Sequence, residues 1–273
     1  MKRTLAILLT AAMLLMIVSC GRDQARKSLI LYFSQTGTTE VVANQLQEML
    51  GADIEAIVPV VPYDGSYMET IERGRKEKDE GTFPEIQPLK ADIRSYDVIF
   101  LGYPVWFGTY ATPIETLLRT VDFKGKKVVP FCTFGSGGLD SSTKDIEAKL
   151  PDAKVLPGYG VRAARIKAVP TELDRFLKAG GFIPGKVEKL ADFPATHPVT
   201  EEEAAIFAEA VDSYPMLRVQ PREAASRNVP EGVEYLFVAK SLPIPGMSDS
   251  GAMMKIYVLA EEGQAPVFTQ VVR

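Results

Sequence analysis

The chain has 273 residues, which is enough for one large domain or two modest ones. Its hydrophobic fraction of 46% and charged fraction of 24% are ordinary for a globular protein. A net charge of −4 argues against a nucleic acid partner, since a phosphate backbone requires a basic face, and two cysteines provide no disulfide framework.

The amino terminus has the composition of a secretory signal. Two basic residues precede the apolar stretch 5–18, which is shorter than the about 20 apolar residues that span a bilayer. Its end, residues 17–20, resembles a bacterial lipobox, in which the peptide is cut before the cysteine and the thiol is acylated. We expect a signal peptide over residues 1–19, a lipid on Cys20 and a tether over residues 20–27. The protein would then be anchored to a bacterial envelope membrane, facing outside the cytoplasm; an ordinary signal peptide with a chance cysteine is the alternative.

From residue 28 onward, short apolar runs alternate with amphipathic segments. The runs predict strands over residues 28–33, 53–58, 97–105, 126–134 and 154–161. The other segments predict helices over residues 38–50, 66–81, 112–121, 140–150 and 169–182. Within the third helix, Thr112 and Glu115 have the spacing of a capping box, with Pro113 at the first helical position. Five strands with intervening helices predict a parallel, doubly wound α/β sheet over residues 28–185.

The character of the sequence changes after residue 185. Residues 186–199 are rich in proline and predict a linker. An amphipathic helix is predicted over residues 200–214, followed by β-rich runs at 234–240, 254–261 and 266–272. This pattern predicts a separate small α+β domain over residues 200–273. It resembles cystatin-like folds, but the segment 228–232 lacks the glutamine of their inhibitory loop, so we expect a docking or dimerisation module.

A cluster of hydroxyl side chains follows the first predicted strand, at the carboxyl edge of the sheet where ligands bind in such folds. Its residues are Ser34, Gln35, Thr36, Gly37, Thr38 and Thr39. Hydroxyls, a glycine and the free amides of a helix start can hold a phosphate without a formal positive charge, and no Lys or Arg occurs between residues 28 and 72. The segment lacks both the Gly-Lys-Ser/Thr ending of an ATP-type loop and a G-x-G-x-x-G fingerprint. The alternative is a threonine-rich helix cap.

The order of residues from Ile30 to Ala43 resembles the phosphate loop of the flavodoxin family. Two further segments, 102–106 and 130–133, are similar to the GYP-x-W and PFCT motifs of short-chain bacterial flavodoxins. The resemblance covers about residues 28–182. It implies a flavodoxin-like fold with strand order 2-1-3-4-5 and FMN above the strand ends, with its phosphate held by residues 34–39.

The resemblance also assigns two loops to the flavin ring. The second loop consists of Pro104, Val105, Trp106, Phe107 and Gly108, and its aromatic residues would form flat apolar walls, with the sole tryptophan stacked on the ring. The third loop consists of Thr133, Phe134, Gly135, Ser136, Gly137 and Gly138, whose amides would reach the pyrimidine edge. The alternatives are a core role for the aromatics and an ordinary flexible turn for the glycines.

No set of residues predicts a catalytic base or a metal site. The sole histidine, His197, lies in the linker and is read as structural, and Cys132 lies in an apolar strand. The lack of a predicted catalytic base agrees with flavin redox chemistry, in which the cofactor supplies the reactive group. We expect an FMN-binding redox protein that carries electrons or reduces a small acceptor such as a quinone, with a redox partner that the sequence does not identify. The alternative is a non-catalytic envelope lipoprotein, and the second domain could serve as a lid over the flavin.

Overall fold

The computed structural model describes residues 27–187, 189–242 and 251–273. The predicted signal peptide, the lipidated Cys20 and nearly all of the tether lie outside the described residues. Within the described ranges, no helix is both long enough and apolar enough to cross a membrane. The strands form two separate sheets.

The first domain comprises the parallel sheet and its helices. Its strands are β1 (Ser28–Tyr32), β2 (Asp53–Ala56), β3 (Val98–Trp106), β4 (Thr109–Tyr110), β5 (Lys127–Phe134), β6 (Lys154–Val155) and β7 (Tyr159–Arg162). Its helices are α1 (Thr38–Leu50), α2 (Tyr67–Glu80), α3 (Thr112–Thr120), α4 (Leu139–Lys149) and α5 (Val169–Ala179), with short 3₁₀ turns at Ile93–Ser95 and Ala163–Ala168. Every predicted strand and helix of this domain is therefore present.

The strand order is β2-β1-β3-β5, followed by β6 and β7, which both pair with β5. These two short strands are the halves of the single fifth strand predicted over residues 154–161. Their registers, Val128↔Val155 and Phe131↔Tyr159, differ by one residue, so the chain holds one extra residue between them and the ladder is interrupted there. The predicted flavodoxin-like order 2-1-3-4-5 is confirmed.

Apolar side chains cover both faces of this sheet. Leu29 and Ile99 belong to the layer that packs with α3 and α4, whereas Ile30, Phe100 and Val129 belong to the layer that packs with α1 and α5. This double burial explains the continuous apolar runs in the sequence. It also fixes the carboxyl ends of β1, β3 and β5, from which three neighbouring loops leave the sheet.

The capping box predicted at the start of α3 is wrong. The N-cap residue is Ala111, without a side-chain cap. The Thr112 hydroxyl instead donates to Glu77 at 2.6 Å, and the buried Glu115 carboxylate accepts from Tyr110 at 2.6 Å. Both side chains serve buried carboxylate networks, whose unmet hydrogen bonds would cost more than a missing cap. Capping boxes form instead at the start of α2 and at the start of a later helix, Glu201–Asp212.

The second domain is an antiparallel sheet with one helix, as predicted. It contains β8 (His197–Pro198), α6 (Glu201–Asp212), β9 (Val219–Val229), β10 (Gly232–Ser241), β11 (Met253–Glu261) and β12 (Val267–Val272), in the strand order β12-β11-β10-β9-β8. Helix α6 packs on one face, where the Phe207 and Phe237 rings lie 4.8 Å apart.

Two strands of the second sheet are absent from the sequence-based prediction. Strand β9 reads VQPREAASRNV, and only Ala224 and Ala225 within it are buried, so it carries no strong apolar signal. Strand β8 lies inside the predicted linker, where His197 pairs with Ala224 and its ring lies 3.5 Å from Glu203. The end of the linker is thus part of the second sheet.

Candidate functional site

The first loop joins β1 to α1 and exposes the start of that helix. Gly37 is the N-cap residue, with φ 84° and no side-chain cap, and no atom lies within 4 Å of a Cβ built on it. The Glu40 amide donates to the Ser34 hydroxyl at 3.2 Å. The amides of Thr38 and Thr39 have no acceptor among the described residues. Free amides at a helix start, flanked by hydroxyls, form an anion site without a cation.

The threonines of this loop have two different roles. The Thr36 and Thr38 hydroxyls lie 3.3 Å apart at the surface, within reach of a ligand. The Thr39 hydroxyl is buried and hydrogen-bonds to the buried Thr133 hydroxyl at 2.8 Å. Thr39 therefore connects the first loop to the start of the third. Gln35 also turns inward, donating to the Tyr63 carbonyl.

The second loop is a tight hairpin between β3 and β4. Trp106 pairs with Thr109, and the two residues between them, Phe107 and Gly108, have φ values of 52° and 80°. Positive φ at both central residues is the arrangement of a type I′ turn, which usually contains Asn-Gly. Among the described non-glycine residues Phe107 alone has positive φ, a conformation that costs about 1–2 kcal/mol for a residue with a Cβ.

Trp106 packs away from this turn. Its ring meets those of Phe33 and Tyr63 edge-on, with centroids 5.7 Å and 5.2 Å apart. A Cβ built on Gly74 of α2 would lie 3.2 Å from the indole, so the absence of a side chain there makes room for it. Trp106 is thus a half-buried residue that fastens the second loop to α2.

A cavity of about 450 Å³ lies between the second and third loops. This volume is within the roughly 300–1,000 Å³ of small-molecule sites. Eight of the predicted site residues line it, namely Val105, Phe107, Gly108, Phe134, Gly135, Ser136, Gly137 and Gly138. The first loop, Pro104, Trp106 and Thr133 lie outside its walls.

Hydrogen bonds hold the second and third loops together beside this cavity. Ser141, in the first turn of α4, donates to the Gly108 carbonyl at 2.6 Å. The Thr109 hydroxyl donates to Asp145 of the same helix at 2.5 Å. Gly138, the N-cap residue of α4, has φ 119° and lies against Val105. The hairpin and the helix start therefore form one support.

The remaining walls come from residues that the sequence analysis did not select. Tyr67 of α2 and Tyr214, which follows α6, line the cavity, as do residues 270–273 at the end of β12. Tyr67 is 77% exposed, an unusual position for a large aromatic side chain. The contributions of the second domain carry no sequence signal, because only the packing of the two domains brings them to the site.

A buried arginine lies beside the third loop. Arg162 at the end of β7 is 5% exposed, and its Nε donates to the Gly135 carbonyl at 2.8 Å. Burial lowers the pKa of this guanidinium to about 10. No salt bridge to Arg162 occurs within the described part of the chain. At neutral pH it is a fixed positive charge beside the loop.

Among the residues that the structure describes, neither the Cys132 thiol nor a cluster of metal-binding side chains contributes to this site. Cys132 is fully buried in β5, and burial raises the pKa of its thiol well above its ordinary value. Within residues 27–187, 189–242 and 251–273, no cluster of His, Cys, Asp and Glu side chains could hold a metal ion.

Comparison with known proteins gives a consistent assignment for the first domain. The flavodoxin family model matches residues 27–174, more than half of the chain. A candidate flavoprotein from Bacteroides eggerthii DSM 20697 is 30% identical over 56% of this chain and 97% of its own, with a TM-score of 0.48. One from Bacteroides uniformis ATCC 8492 is 26% identical over 55% of this chain and 99% of its own, with a TM-score of 0.50. A flavoprotein in complex with FMN from Lactobacillus acidophilus NCFM is 26% identical over 55% of this chain and 98% of its own, with a TM-score of 0.47. No curated protein matches at a significant level.

Proposed function

The chain belongs to the flavodoxin family, and on that premise we propose that it is an FMN-binding redox protein of the bacterial cell envelope. It carries electrons or reduces a small acceptor such as a quinone. The bound FMN supplies the redox chemistry, and the protein supplies binding, orientation and electrostatics. The residues described above fit that division of roles.

The observation that carries this proposal is the convergence of the three loops at one edge of the sheet. Residues separated by about a hundred positions are joined there through the hydrogen bond between Thr39 and Thr133. The bond from Ser141 to Gly108 joins the second loop to α4, the helix that follows the third loop. A single ligand with an anionic end and a flat apolar end can therefore contact all three.

The first loop fits the phosphate end of FMN. The amides of Thr38 and Thr39 lack acceptors among the described residues, and the hydroxyls of Thr36 and Thr38 lie at the surface. A dianionic phosphate at a helix start gains the helix dipole and several charge-assisted hydrogen bonds. No lysine or arginine is needed for this.

The cavity between the second and third loops fits the ring end. Val105 and Phe107 give it an apolar wall, and the strained turn holds Phe107 at the cavity. The amides of Ser136 and Gly137 have no acceptor among the described residues and can donate to the carbonyl and nitrogen acceptors of a pyrimidine edge.

The first experiment is a visible absorption spectrum of the chain from residue 21 onward after incubation with FMN and desalting. We expect flavin bands that stay with the protein at one FMN per chain. Riboflavin, which lacks the phosphate, is the matched control and should bind at least about tenfold more weakly, since a charge-assisted phosphate contact is lost. A colourless protein at micromolar FMN would overturn the proposal and favour a non-catalytic binding lipoprotein.

A second experiment separates an electron carrier from a reductase. The FMN-loaded protein is mixed with NADH or NADPH and a water-soluble quinone, and nicotinamide oxidation is followed. Steady turnover indicates a reductase that accepts the nicotinamide directly. A flavin that is reduced by dithionite and reoxidised by the quinone, but does not oxidise the nicotinamide, indicates a carrier supplied by a partner.

The envelope location is proposed from the sequence of residues 1–20. Labelling of cells with a fatty acid analogue should mark the wild-type chain, and Cys20→Ser should abolish the label and release the chain from membranes. A Cys132→Ser variant is the matched control and should keep both. Membrane attachment that survives Cys20→Ser would exclude the lipid anchor.

A further inference from the structure

The second domain docks directly on the third loop. The amide of Val271 in the edge strand β12 donates to the Ser136 carbonyl at 2.7 Å. A few residues earlier in the same strand, the Phe268 carbonyl accepts from Arg162 Nη1 at 2.8 Å. The strand that makes these contacts continues into residues 270–273, which line the cavity. The docked edge and the cavity wall are therefore the same segment.

Gly137 shows how closely the two domains approach. A Cβ built on Gly137 would lie 2.2 Å from the Val271 carbonyl oxygen, a backbone atom that cannot turn aside. The φ of Gly137 lies outside the left-handed region, so φ does not itself require glycine there. The next residue differs, because Gly138 has φ 119° and needs glycine for conformational reasons. The second domain thus supplies the reason for glycine at position 137.

Arg162 connects the same two segments. Its guanidinium donates to one backbone carbonyl in each domain, Gly135 in the third loop and Phe268 in β12. The guanidinium carbon lies 3.4 Å from the centre of the Phe268 ring and 5.6 Å from that of Tyr214. A buried charge is costly to leave without partners, so separating the domains would remove one of its two carbonyl acceptors and its stacking contact.

These contacts determine which way the third-loop amides point. In a trans peptide the carbonyl and the following N–H point in opposite directions. The Gly135 carbonyl is held by Arg162 and the Ser136 carbonyl by Val271. The N–H groups of Ser136 and Gly137 are consequently turned away from these partners and left unpaired among the described residues.

We propose that the second domain forms one wall of the FMN site and that Arg162 is a positioning residue, which holds the third-loop peptides with their amides available to the flavin. The proposal rests on the proposed function. FMN binding and docking of the second domain are then thermodynamically coupled. FMN stabilises the docked domain, and docking raises the affinity for FMN by the same factor.

Hydrogen exchange of the mature chain with and without FMN tests the wall directly. FMN should slow exchange in peptides covering residues 34–39 and 133–138, and also in the peptide covering 265–273. Strand β9, on the far side of the second sheet, should not change. Protection of the first two peptides without any at 265–273 would overturn the proposal, whereas a chain that takes up no FMN would instead overturn the proposed function.

Substitution of Arg162 tests its positioning role. Arg162→Met keeps the apolar stem but removes both hydrogen bonds, and should weaken FMN binding about tenfold. It should also change the visible circular dichroism of the bound flavin, and Arg162→Lys should restore part of both. Arg175→Met is the matched control, because Arg175 pairs with Glu231 across the domains but lies outside the cavity walls. Equal effects of the two methionine variants, or none, would overturn the role of Arg162.

A glycine pair keeps the proposal testable if Arg162→Met does not fold. Gly137→Ala should weaken FMN binding and speed exchange at 265–273 in the free protein, because the methyl group displaces β12. Gly135→Ala meets only the end of the Tyr214 side chain, at 3.2 Å, so it should leave exchange at 265–273 unchanged and serves as the control for docking. A Gly137→Ala variant with wild-type FMN affinity and exchange would contradict the close docking on which the proposal depends.

Discussion

The first and third loops lie at the same edge of the sheet but are held in place differently. The first loop is shaped by residues close in sequence. Ser34 accepts a hydrogen bond from the Glu40 amide, and Gly37 is the N-cap residue, without a side chain that could cover the helix start. The third loop is held by Arg162, 27 residues beyond Gly135, and by Val271, more than a hundred residues beyond Ser136. The conformation of the first loop therefore follows from its own motif, whereas that of the third loop depends on residues outside its motif.

The largest expected effect concerns the first loop. Gly37→Val places a β-branched residue at φ 84° and crowds the helix start, so we expect FMN affinity to fall about 100-fold while riboflavin affinity stays within about twofold. Titration of flavin fluorescence measures both ligands. Gly51→Val is the matched control, since Gly51 has φ 60° at the other end of α1 and should cost stability without affecting FMN. A parallel loss of riboflavin binding would show that Gly37 is not specific to the phosphate.

The second prediction concerns the hydrogen bond between Thr39 and Thr133, which joins the first loop to the third. Thr39→Val leaves the buried Thr133 hydroxyl without its partner, and we expect the free energy of unfolding to fall by about 1–3 kcal/mol. Thr133→Val should do the same, and the double variant should recover part of the loss. Urea unfolding of the four proteins gives the coupling energy. Strictly additive losses would mean that the hydrogen bond does not join the loops.

The second loop allows stability and binding to be separated. Phe107→Asn places a residue that tolerates positive φ in the type I′ turn, and we expect it to raise the free energy of unfolding by about 1 kcal/mol. It also removes an apolar wall of the cavity, so FMN affinity should fall several-fold. Thermal unfolding and FMN titration of one variant measure the two effects. Unchanged FMN affinity would place the ring outside this wall.

The smallest expected effect is that of salt on the first loop. Because no Lys or Arg occurs between residues 28 and 72, we expect phosphate binding there to rely on amides, hydroxyls and the helix dipole instead of a charged side chain. We expect the Kd for FMN to change less than about threefold between about 0.05 M and 0.5 M NaCl. A steeper dependence would reveal an exposed cation at the phosphate and would weaken the contrast with the loop beside the buried Arg162.

The sequence was sufficient for features that arise from neighbouring residues. Buried strands require continuous apolar runs and helices an apolar period, so the parallel sheet and the boundaries of α1 were predictable from local pattern. The prediction of a phosphate loop rests on contiguous residues, so a local motif is enough to suggest it. The polar strand β9 was not, since its burial is slight and its partners lie in other strands.

Tertiary structure decided the features that depend on competition between distant groups. Thr112 could cap its helix, but the buried Glu77 carboxylate takes its hydroxyl. Trp106 packs edge-on against Phe33 and Tyr63, whereas Phe107 lines the cavity between the second and third loops. In each case the side chain interacts with a partner that folding brings close. That partner is distant in sequence, so local pattern does not reveal it. The sequence therefore determined the fold and the chemistry available at its edge, and the packing of the two domains decided which groups face the site.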